Sequence, residues 1–402
     1  MQKKDVLLIA NYWHFEEEKA SSRYRSFADI LCKEYNLEVI TSTFCHLKKT
    51  QRDEQALGLD KLEYKMTLQY EPGYPKNICL RRILSYTKFG KNVLKYLKAR
   101  KKPDCIIVSV PSLVVADCVT QFAKKNGIPV IIDVQDLWPE AFKMALNIPV
   151  VSDILFYPMK RQARRIYRNA DEIMAVSDTY VSLAKEQNPN CGGLSIYIGT
   201  DSELVKSKMS TCSVNKPEDE FWIGYVGALG HSYDIKSCIL ALKRIKEQGV
   251  DNAVFKVMGE GVLRKEFEEF AETQGVRCDF TGLLEYGQMM RTLSACDIAL
   301  NPIVGTSVSS IINKVSDYAA AGMPVVNTQN SEEYRRLLEE YEAGINVENG
   351  NHEALADAIL RLYRDADQRS HMRQNAYRMF EEKFDRQKTY HKLVSKIEEL
   401  LK

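Results

Sequence analysis

A lysine and a carboxylate stand about one helical turn apart in the segment "SSIINKVSDYAAAGMPVVNT", which runs from Ser309 to Thr328. Lys314 offers a positive charge of the kind that binds phosphate. Asp317 offers a carboxylate that can accept two hydrogen bonds from a diol such as ribose. The run "YAAAG" directly after Asp317 suits close packing against a ligand or a sheet. The other interpretation of Asp317 is a solvated charge on an amphipathic helix.

The start of this predicted helix offers a second way to bind an anion. The first amides of a helix have no partner within it and carry partial positive charge. If the helix begins near Ile311, Ile312 or Asn313, these amides can hold a diphosphate beside Lys314. The segment is therefore predicted to bind the phosphates and the ribose of a nucleotide.

Two loops that contain glycine follow predicted strands in the same half of the chain. "VMGEGVLRKEFEE" places Gly259 and Gly261 between a strand and a helix, where the missing side chains would let a nucleotide approach the backbone amides. "FTGLLEYGQM" ends a strand with Gly282, Leu283 and Leu284, and a base could rest on that backbone. Both loops are also consistent with ordinary turns.

These residues are positioned by strands that alternate with helices. Continuous apolar runs predict parallel strands that are covered on both faces. The runs in the first half are "DVLLIA", "LEVITS", "CIIVSV", "IPVIIDV" and "ADEIMAVS", and those in the second are "FWIGYVG", "AVFKVMGEG", "VRCDFTGLL", "DIALNPI" and "MPVVNT". The alternation predicts an α/β protein with two doubly wound, Rossmann-like domains that face a central cleft.

A polar stretch with little periodicity separates the two halves. It predicts an interdomain linker at residues 201–220, between a first domain at 1–200 and a second at 221–380. The last residues, 381–402, are charged and helical, and they are predicted to return to the first domain.

Charge and cysteine content limit the classes of protein. Residues 1–200 carry 30 Lys and Arg against 22 Asp and Glu, and residues 201–402 carry 26 against 32. A basic first half suggests an anionic partner, although ordinary scatter explains the split as well. The ten cysteines show no spacing for a zinc site, and free thiols without a signal peptide suggest a cytoplasmic protein. No apolar run approaches the length that spans a membrane.

The motifs together resemble those of a known enzyme family. The order "YVGALG", "VMGEG", "FTGLL", "DIALNPI", "NKVSDYAAAGMPVV" resembles the C-terminal domain of glycosyltransferase family 4, retaining enzymes with the GT-B fold. "ASSRYRSFADILCKEYNLEVIT", "PVIIDVQDLWPE", "ADEIMAVSDTY" and "YIGTD" are similar to landmarks of its acceptor domain, above all in the bacterial branch that makes capsule, exopolysaccharide and O-antigen. The resemblance implies that the first domain binds the acceptor and the second binds a UDP-sugar, with no cofactor and no nucleic acid partner.

The chain departs from the family pattern at several donor positions. The family has two acids seven residues apart, of which the second, on the donor ribose, corresponds to Asp317, while the first is replaced by Ser309 near the transferred sugar. Family members often place Arg and Lys after the first glycine turn, where this chain has Ala228 and Asp234. The candidate substitutes that would face the donor phosphates are His231, Lys236 and Lys314.

The resemblance also assigns residues on the acceptor and phosphate side. The loop after the first strand contributes Ser21, Ser22 and Arg23, although Arg23 could equally be a solvated helix charge. Gln135 stands where many relatives have His, and Asp136 follows it as the acceptor-side polar residue. A structural role for Asp136 as a helix cap is the alternative.

The family mechanism implies roles for these residues. The leaving diphosphate helps to deprotonate the acceptor on the same face of the sugar, while the protein positions the substrates and stabilises the departing phosphate. Lys314 and Asp136 are therefore predicted to be the catalytic residues. No metal is expected, and the D-x-D at Asp365–Asp367 is interpreted as surface.

Relatives of this kind often extend a lipid diphosphate-linked sugar or a glycan. "YTKFGKNVLKYLKARKK" and "MKRQARRIYRNAD" are basic helices with aromatic residues that would suit an anionic membrane surface, or else are solvated faces. The residues predicted to bind the membrane surface are Lys160, Arg161, Arg164, Arg165 and Arg168. Two other functions stay open, namely a UDP-sugar 2-epimerase and a non-catalytic subunit that binds a nucleotide sugar.

Overall fold

The computed structural model describes residues 3–15, 18, 23–139, 149–304 and 311–402, and for residues 149–155 it describes the backbone alone. The chain divides into two compact units. The first contains Met1–Ile196 and Tyr390–Lys402, and the second contains Tyr197–Thr389.

A seven-stranded parallel sheet forms the centre of the first unit, with the order β5-β2-β1-β6-β7-β8-β9. β1 lies between β2 and β6, so that Val6 stands opposite both Leu37 and Cys105. The strands are β1 (Asp5–Ile9), β2 (Asn36–Ser42), β5 (Lys65–Gln69), β6 (Cys105–Val110), β7 (Val130–Val134), β8 (Glu172–Ala175) and β9 (Gly192–Ser195), and a separate antiparallel pair is formed by β3 (Phe44–Cys45) and β4 (Thr50–Gln51).

Helices connect these strands because the sequence changes from continuous apolar runs to helical spacing. Every residue of β6 and β7 is buried, as expected for strands covered on both faces. The helix before β2 buries Phe27, Ala28 and Leu31, one side of an amphipathic pattern. The helices of this part are α1 (Arg23–Glu34), α2 (Leu80–Ala99), α3 (Leu113–Asn126), α4 (Pro149–Asn169) and α5 (Asp178–Lys185).

A six-stranded parallel sheet forms the centre of the second unit, with the order β12-β11-β10-β13-β14-β15. Its strands are β10 (Phe221–Val226), β11 (Ala253–Met258), β12 (Cys278–Gly282), β13 (Ile298–Asn301), β14 (Val325–Asn327) and β15 (Gly344–Asn346). Its helices are α6 (Ser202–Met209), α7 (Ile235–Glu247), α8 (Arg264–Gln274), α9 (Tyr286–Ala295), α10 (Lys314–Ala320), α11 (Glu332–Glu340), α12 (His352–Arg364), α13 (Ala366–Met379) and α14 (Arg386–Thr389), and α15 (His391–Leu400) belongs to the first unit. The prediction of two doubly wound, Rossmann-like units is confirmed.

The structure draws the boundaries of the units differently from the sequence. Residues 201–220 are part of the second unit, where α6 is capped by Asp201, whose carboxylate accepts from the amides of Glu203 and Leu204, both at 3.0 Å. Val205 is the buried residue of this helix, so the sequence carries little periodicity. The return to the first unit begins at Tyr390 rather than at residue 381.

The strand order of each sheet reverses once, between β1 and β6 and between β10 and β13. In open parallel sheets, ligands bind beyond the carboxyl ends of the strands at such a reversal. The loops after these four strands are therefore the places where functional side chains are expected.

Candidate functional site

The strand reversal in the second unit lies between the loop after β10 and the segment that leads into α10. Gly227 follows β10 with a φ of 147°, and a side chain there would place its Cβ 2.5 Å from Nζ of Lys314 and 3.0 Å from the hydroxyl of Tyr225. Glycine at this position thus leaves the room that the Lys314 ammonium occupies.

Lys314 is the first residue of α10, and its side chain is buried. Its Nζ lies 4.3 Å from the ring centre of Tyr225 and 3.9 Å from that of Tyr233, a cation–π arrangement with two aromatic faces. Among the described residues, Nζ has no hydrogen-bond partner. Burial lowers the pKa of Lys314 to about 7, because the ammonium loses its water without gaining an anion.

Asp317 lies one turn further along α10. Its Oδ1 accepts a hydrogen bond from Oγ1 of Thr200 and another from the hydroxyl of Tyr286, both at 2.8 Å. Burial raises the pKa of Asp317, and these two hydrogen bonds act in the opposite direction. The carboxylate is therefore held in place by two hydroxyls of the same unit, rather than lying solvated on a helix face.

The residues before Lys314 divide into a buried and an exposed part. Ile311 is buried in the hydrophobic core of the second unit, Ile312 packs against that core, and Asn313 is exposed. The amides of Val315 and Ser316 donate to the carbonyls of Ile312 and Asn313, both at 3.2 Å. These two amides are thus already paired. Ser309 lies outside the described residues.

Gly259 and Gly261 have a packing role that the sequence did not reveal. A Cβ on Gly259 would lie 1.8 Å from the carbonyl oxygen of Gly227, and one on Gly261 would lie 2.1 Å from that of Leu229. The amide of Gly227 donates to the carbonyl of Met258 at 3.1 Å. The loops after β10 and β11 therefore lie backbone to backbone, and only glycine fits between them.

The end of β12 presents an apolar side chain to solvent. Gly282 has a φ of 76°, and Leu283 after it is 84% exposed. Leu284 is half-buried and packs against the core. Leu283 is accordingly the member of this group that is available to a ligand.

The structure separates the three candidate phosphate-binding cations. Lys236 pairs with Glu266 on the neighbouring helix, with 2.5 Å between Nζ and Oε1. His231 is exposed in the loop after β10, and Asp234 caps α7 by accepting from the amide of Ser237 at 3.1 Å. Lys314 is the buried one and has no partner among the described residues.

In the first unit, Arg23 is a core residue and the prediction of a ligand contact is wrong. Its guanidinium donates through Nε and Nη2 to the two oxygens of Asp133, both at 3.0 Å, and through Nη1 to the carbonyl of Ile196 at 2.6 Å. The arginine is 4% exposed and lies over the rings of Phe27 and Tyr390. A guanidinium enclosed in this way cannot reach a phosphate.

Gln135 belongs to the surroundings of the same ion pair. Its Nε2 lies 3.4 Å from Oδ2 of Asp133. Ser21 and Ser22, which were predicted to act with Arg23, lie outside the described residues. The predicted phosphate-side group is therefore not brought together by the described part of the first unit.

Asp136 follows β7, at the carboxyl edge of the sheet. Its Oδ2 accepts from the indole nitrogen of Trp138 at 3.1 Å, and burial raises its pKa. The guanidinium of Arg82 stacks 5.1 Å from the ring centre of Trp138 and donates to the hydroxyl of Tyr12 at 2.9 Å. Trp138 thus links Asp136 to an aromatic and basic group that contains Arg82 and Tyr12.

Sequence reasoning missed most partners of the predicted residues. The pair Tyr225 and Tyr233 flanks the glycine turn in "YVGALGHSY", which is a visible signal for an aromatic enclosure. Tyr12 lies three residues after the end of β1, in the loop that was expected to act. Nothing local in the sequence linked Thr200 and Tyr286 to Asp317, or Arg82 to Trp138, because only the fold brings these residues together.

No group of three metal-ligating side chains occurs within the described ranges. Asp365 of the D-x-D caps α13 by accepting from the amide of Gln368 at 2.8 Å. In the same ranges, no helix has the length and apolar character needed to cross a membrane.

Comparison with known proteins extends these observations. Residues 212–379 match the family model described as glycosyl transferases group 1, and no curated protein matches the chain. Sucrose-phosphate synthase of Thermosynechococcus elongatus is 14% identical, covers 99% of each chain and has a TM-score of 0.66.

Two further solved structures share the fold. HepE of Anabaena in complex with UDP is 14% identical, covers 98% of this chain and 100% of its own, and has a TM-score of 0.66. The lipopolysaccharide outer core galactosyltransferase WaaB is 15% identical, covers 98% and 99%, and has a TM-score of 0.64. The chain thus has the two-unit α/β fold of the GT-B glycosyltransferases, and its segment 212–379 matches the glycosyl transferases group 1.

Proposed function

We propose that the protein is a retaining, metal-independent glycosyltransferase that moves a hexose or an N-acetylated hexosamine from a UDP-sugar to an acceptor. The acceptor would be a lipid-linked sugar or a glycan in bacterial surface polysaccharide synthesis. The family match of residues 212–379 supports glycosyl transfer. Structures of HepE with UDP and with UDP-glucose support a UDP-sugar donor, and WaaB supports the surface polysaccharide.

The observation that carries the proposal is the buried ammonium of Lys314 at the strand reversal of the second sheet. It lies between two tyrosine rings, beside a glycine loop, and has no hydrogen-bond partner among the described residues. A buried cation without an anion is costly, and a diphosphate would supply the missing charge and hydrogen bonds. Binding the donor would therefore complete a site that is built but unsatisfied.

Two neighbouring residues would hold the nucleoside. Asp317 takes both of its hydrogen bonds on Oδ1, which leaves Oδ2 for a ribose hydroxyl. The exposed Leu283 would contact the base. Gly227, Gly259 and Gly261 would act indirectly, because they fix the loops around Lys314.

The chemistry would proceed by breaking the bond between the anomeric carbon and the UDP oxygen on one face of the sugar. The acceptor hydroxyl would form the new bond on that same face, and its proton would pass to the departing diphosphate. Lys314 would stabilise the negative charge that develops on the diphosphate. Asp136, held by Trp138, would orient the acceptor hydroxyl.

The proposed setting is the cytoplasm, at the inner face of the membrane where the acceptor is lipid-linked. All ten cysteines are free thiols, five of them buried, which is consistent with a reducing compartment.

A panel of nucleotide sugars with calorimetry, followed by assay of the preferred donor with lipid-linked and soluble acceptors, tests the proposal. A transferase releases UDP as a new glycoside forms. Interconversion of two UDP-sugars without an acceptor would instead indicate an epimerase, and binding without turnover would indicate a subunit that only holds the nucleotide sugar.

A further inference from the structure

The guanidinium of Arg82, in the first turn of α2, has no carboxylate partner among the described residues. Other buried or half-buried arginines of the first unit do have one, since Arg23, Arg52 and Arg100 each lie 2.9–3.0 Å from a carboxylate oxygen. Arg82 is half-buried, so it has lost part of its water without gaining an anion. A cation in this state is costly, and an added anion would stabilise it.

Hydrogen bonds to neutral groups hold Arg82 in place. Its Nε donates to the hydroxyl of Tyr86 at 2.5 Å, and its Nη2 donates to that of Tyr12 at 2.9 Å. Its Nη1 donates to the carbonyl of Asn77 at 2.6 Å. A guanidinium has five N–H groups, so two remain after these three hydrogen bonds. Two N–H groups of one guanidinium match the two oxygens of a carboxylate.

A second cation lies against the same aromatic rings. Nζ of Lys49 is 4.8 Å from the ring centre of Tyr74, and the guanidinium carbon of Arg82 is 5.5 Å from that centre. Lys49 donates to Nδ1 of His46 at 3.3 Å and to the side-chain oxygen of Asn77 at 2.6 Å. It likewise has no carboxylate partner among the described side chains. Two cations without a counter-ion thus share one aromatic enclosure.

The imidazole of His46 lies beside both cations and responds to their charge. Its ring centre is 4.7 Å from that of Tyr12, which accepts from Arg82. Burial, Lys49 and Arg82 all lower the pKa of His46, to about 4. The imidazole is therefore neutral near pH 7, in surroundings that favour negative charge.

The backbone at Lys49 has an unusual conformation for a lysine. Its φ is 58°, in the left-handed region that favours glycine, and its amide closes the turn by donating to the carbonyl of Cys45 at 2.9 Å. Among the described residues, Glu342 is the other non-glycine residue with a positive φ. A lysine kept in a conformation that costs free energy is consistent with a role for its ammonium.

Two carboxylates of the same region have neutral partners instead of these cations. Glu71 accepts from the hydroxyl of Ser85 at 2.8 Å. Asp136 accepts from the indole of Trp138 at 3.1 Å. The positive charge of the enclosure is therefore not cancelled by a direct ion pair with either carboxylate.

We propose that Arg82 and Lys49 bind the carboxylate of an acidic sugar, such as a uronic acid, in the acceptor. This inference rests on the proposed function and deepens it by naming the class of acceptor. The guanidinium would take both carboxylate oxygens, while the neighbouring aromatic rings would contact the sugar. A singly charged carboxylate suits the site better than a diphosphate, because Asp136 would repel a more highly charged group.

The indole of Trp138 connects this site with the residue proposed to orient the acceptor hydroxyl. The guanidinium carbon of Arg82 lies 5.1 Å from the ring centre of Trp138, whose Nε1 donates to Asp136. A cation and a carboxylate beside one indole are close enough for two substituents of a single sugar ring to reach both. The acidic group would therefore belong to the same sugar that receives the transferred one.

An NMR titration of the full chain, followed at the imidazole of His46, tests the proposal. The probes are glucuronate, glucose 6-phosphate and glucose, and His46→Gln assigns the signal. Glucuronate should shift this signal at a lower concentration than glucose does. Arg82→Gln should weaken glucuronate binding at least about tenfold, because it removes charge-assisted hydrogen bonds. Lys49→Gln should weaken it less, since an ammonium acts as a single point charge.

Arg81 and Lys48 offer a matched control, because each is the exposed neighbour in sequence of one of the two cations. Arg81→Gln combined with Lys48→Gln removes as much charge as Arg82→Gln combined with Lys49→Gln. The control should leave glucuronate binding nearly unchanged, whereas the other combination should abolish the preference for glucuronate over glucose.

The affinity for UDP, measured by calorimetry, should be the same in all variants. A wild type that binds glucuronate but not UDP would contradict the proposed function and leave this site standing. The inference is overturned if wild type does not prefer glucuronate to glucose, or if Arg82→Gln and Lys49→Gln both bind it like wild type. An equal loss in the control variant would also overturn it, and tighter binding of glucose 6-phosphate would assign the site to a phosphate instead of an acidic sugar.

Discussion

Arg23 in the first unit and Lys314 in the second are both buried cations, but only Arg23 has a carboxylate partner among the described residues. Arg23 in the first unit is enclosed with Asp133 and donates to both oxygens of that carboxylate. Lys314 in the second unit is enclosed with two tyrosine rings and has no hydrogen-bond partner among the described residues. Similar burial thus accompanies a completed ion pair at Arg23 and a cation without an anion at Lys314, and the second is the one proposed to bind the donor.

The largest expected effect comes from breaking the completed pair. Arg23→Met should lower the free energy of unfolding of the first unit by about 3–5 kcal/mol, because it leaves the buried Asp133 carboxylate without a counter-ion. Denaturant unfolding checks this value. Retention of wild-type stability would show that Arg23 does not stabilise the first unit through Asp133. A loss of UDP affinity larger than the loss of folded protein would show that Arg23 contacts the ligand.

Lys314→Met should have the opposite effect to Arg23→Met, with a loss of UDP affinity and no loss of stability. The affinity for UDP should fall at least about tenfold, because a charge-assisted contact to phosphate contributes roughly 1.5–3 kcal/mol. The melting temperature should stay level or rise, because a desolvated charge is removed. Calorimetry and thermal unfolding measure the two effects.

Lys236→Met is the matched control for this change, since Lys236 is a nearby lysine already paired with Glu266. It should leave the UDP affinity unchanged. Equal losses of affinity in both variants would contradict the assignment of Lys314 as the phosphate-binding cation.

Asp317→Asn sharpens the comparison by removing charge while keeping an oxygen that can accept from Thr200 and Tyr286. UDP affinity should fall by roughly tenfold, since a hydrogen bond to a charged group is worth about 1.5–3 kcal/mol, while the stability should change little. Asp317→Ala should lower both UDP affinity and stability, because it removes the acceptor of the Tyr286 hydroxyl and leaves Thr200 with Ser316 alone. If Asp317→Asn binds UDP like wild type, the carboxylate has only a structural role.

The smallest expected effect is a pH dependence in which stability and UDP affinity change in opposite directions. The pKa of Lys314 is about 7 in the folded protein and 10.5 in a freely solvated lysine, so the folded state binds fewer protons between these values. The free energy of unfolding should therefore rise as pH increases from about 7 towards 10. UDP affinity should fall over the same change, because Lys314 loses its charge. Both slopes should be smaller in Lys314→Met, and an unchanged affinity slope in that variant would assign the dependence to another group.

The sequence predicted the architecture well because parallel strands covered on both faces need apolar residues at nearly every position. Runs such as "CIIVSV" and "PVIID" show this directly. It selected Lys314 and Asp317 as candidate donor-binding residues because both lie in one short segment, and this assignment stays a prediction. It could not predict what surrounds them, since Thr200, Tyr286 and Gly227 come from distant segments that only the fold assembles. Arg23 was mistaken for a ligand contact because its partner, Asp133, is 110 residues away and looks like an ordinary strand residue.

The sequence also failed to predict the shortest strands and the helices with a weak apolar pattern. β15 has three residues, and Val205 is the buried residue of α6. Neither element therefore contains enough buried positions to show a strand or helix periodicity in the sequence. The interdomain linker placed at 201–220 follows from the same weakness, since a polar helix that is held by its cap resembles a loop.

The last helix of the chain has a consequence for synthesis. Tyr390 lies 4.4 Å from Phe27, ring centre to ring centre, and its ring also covers Arg23, so the first unit contains residues from both ends of the chain. The second unit is one continuous segment. On the ribosome, the second unit can therefore finish folding as soon as its own residues have emerged, whereas the first unit must wait until Tyr390–Lys402 have been made.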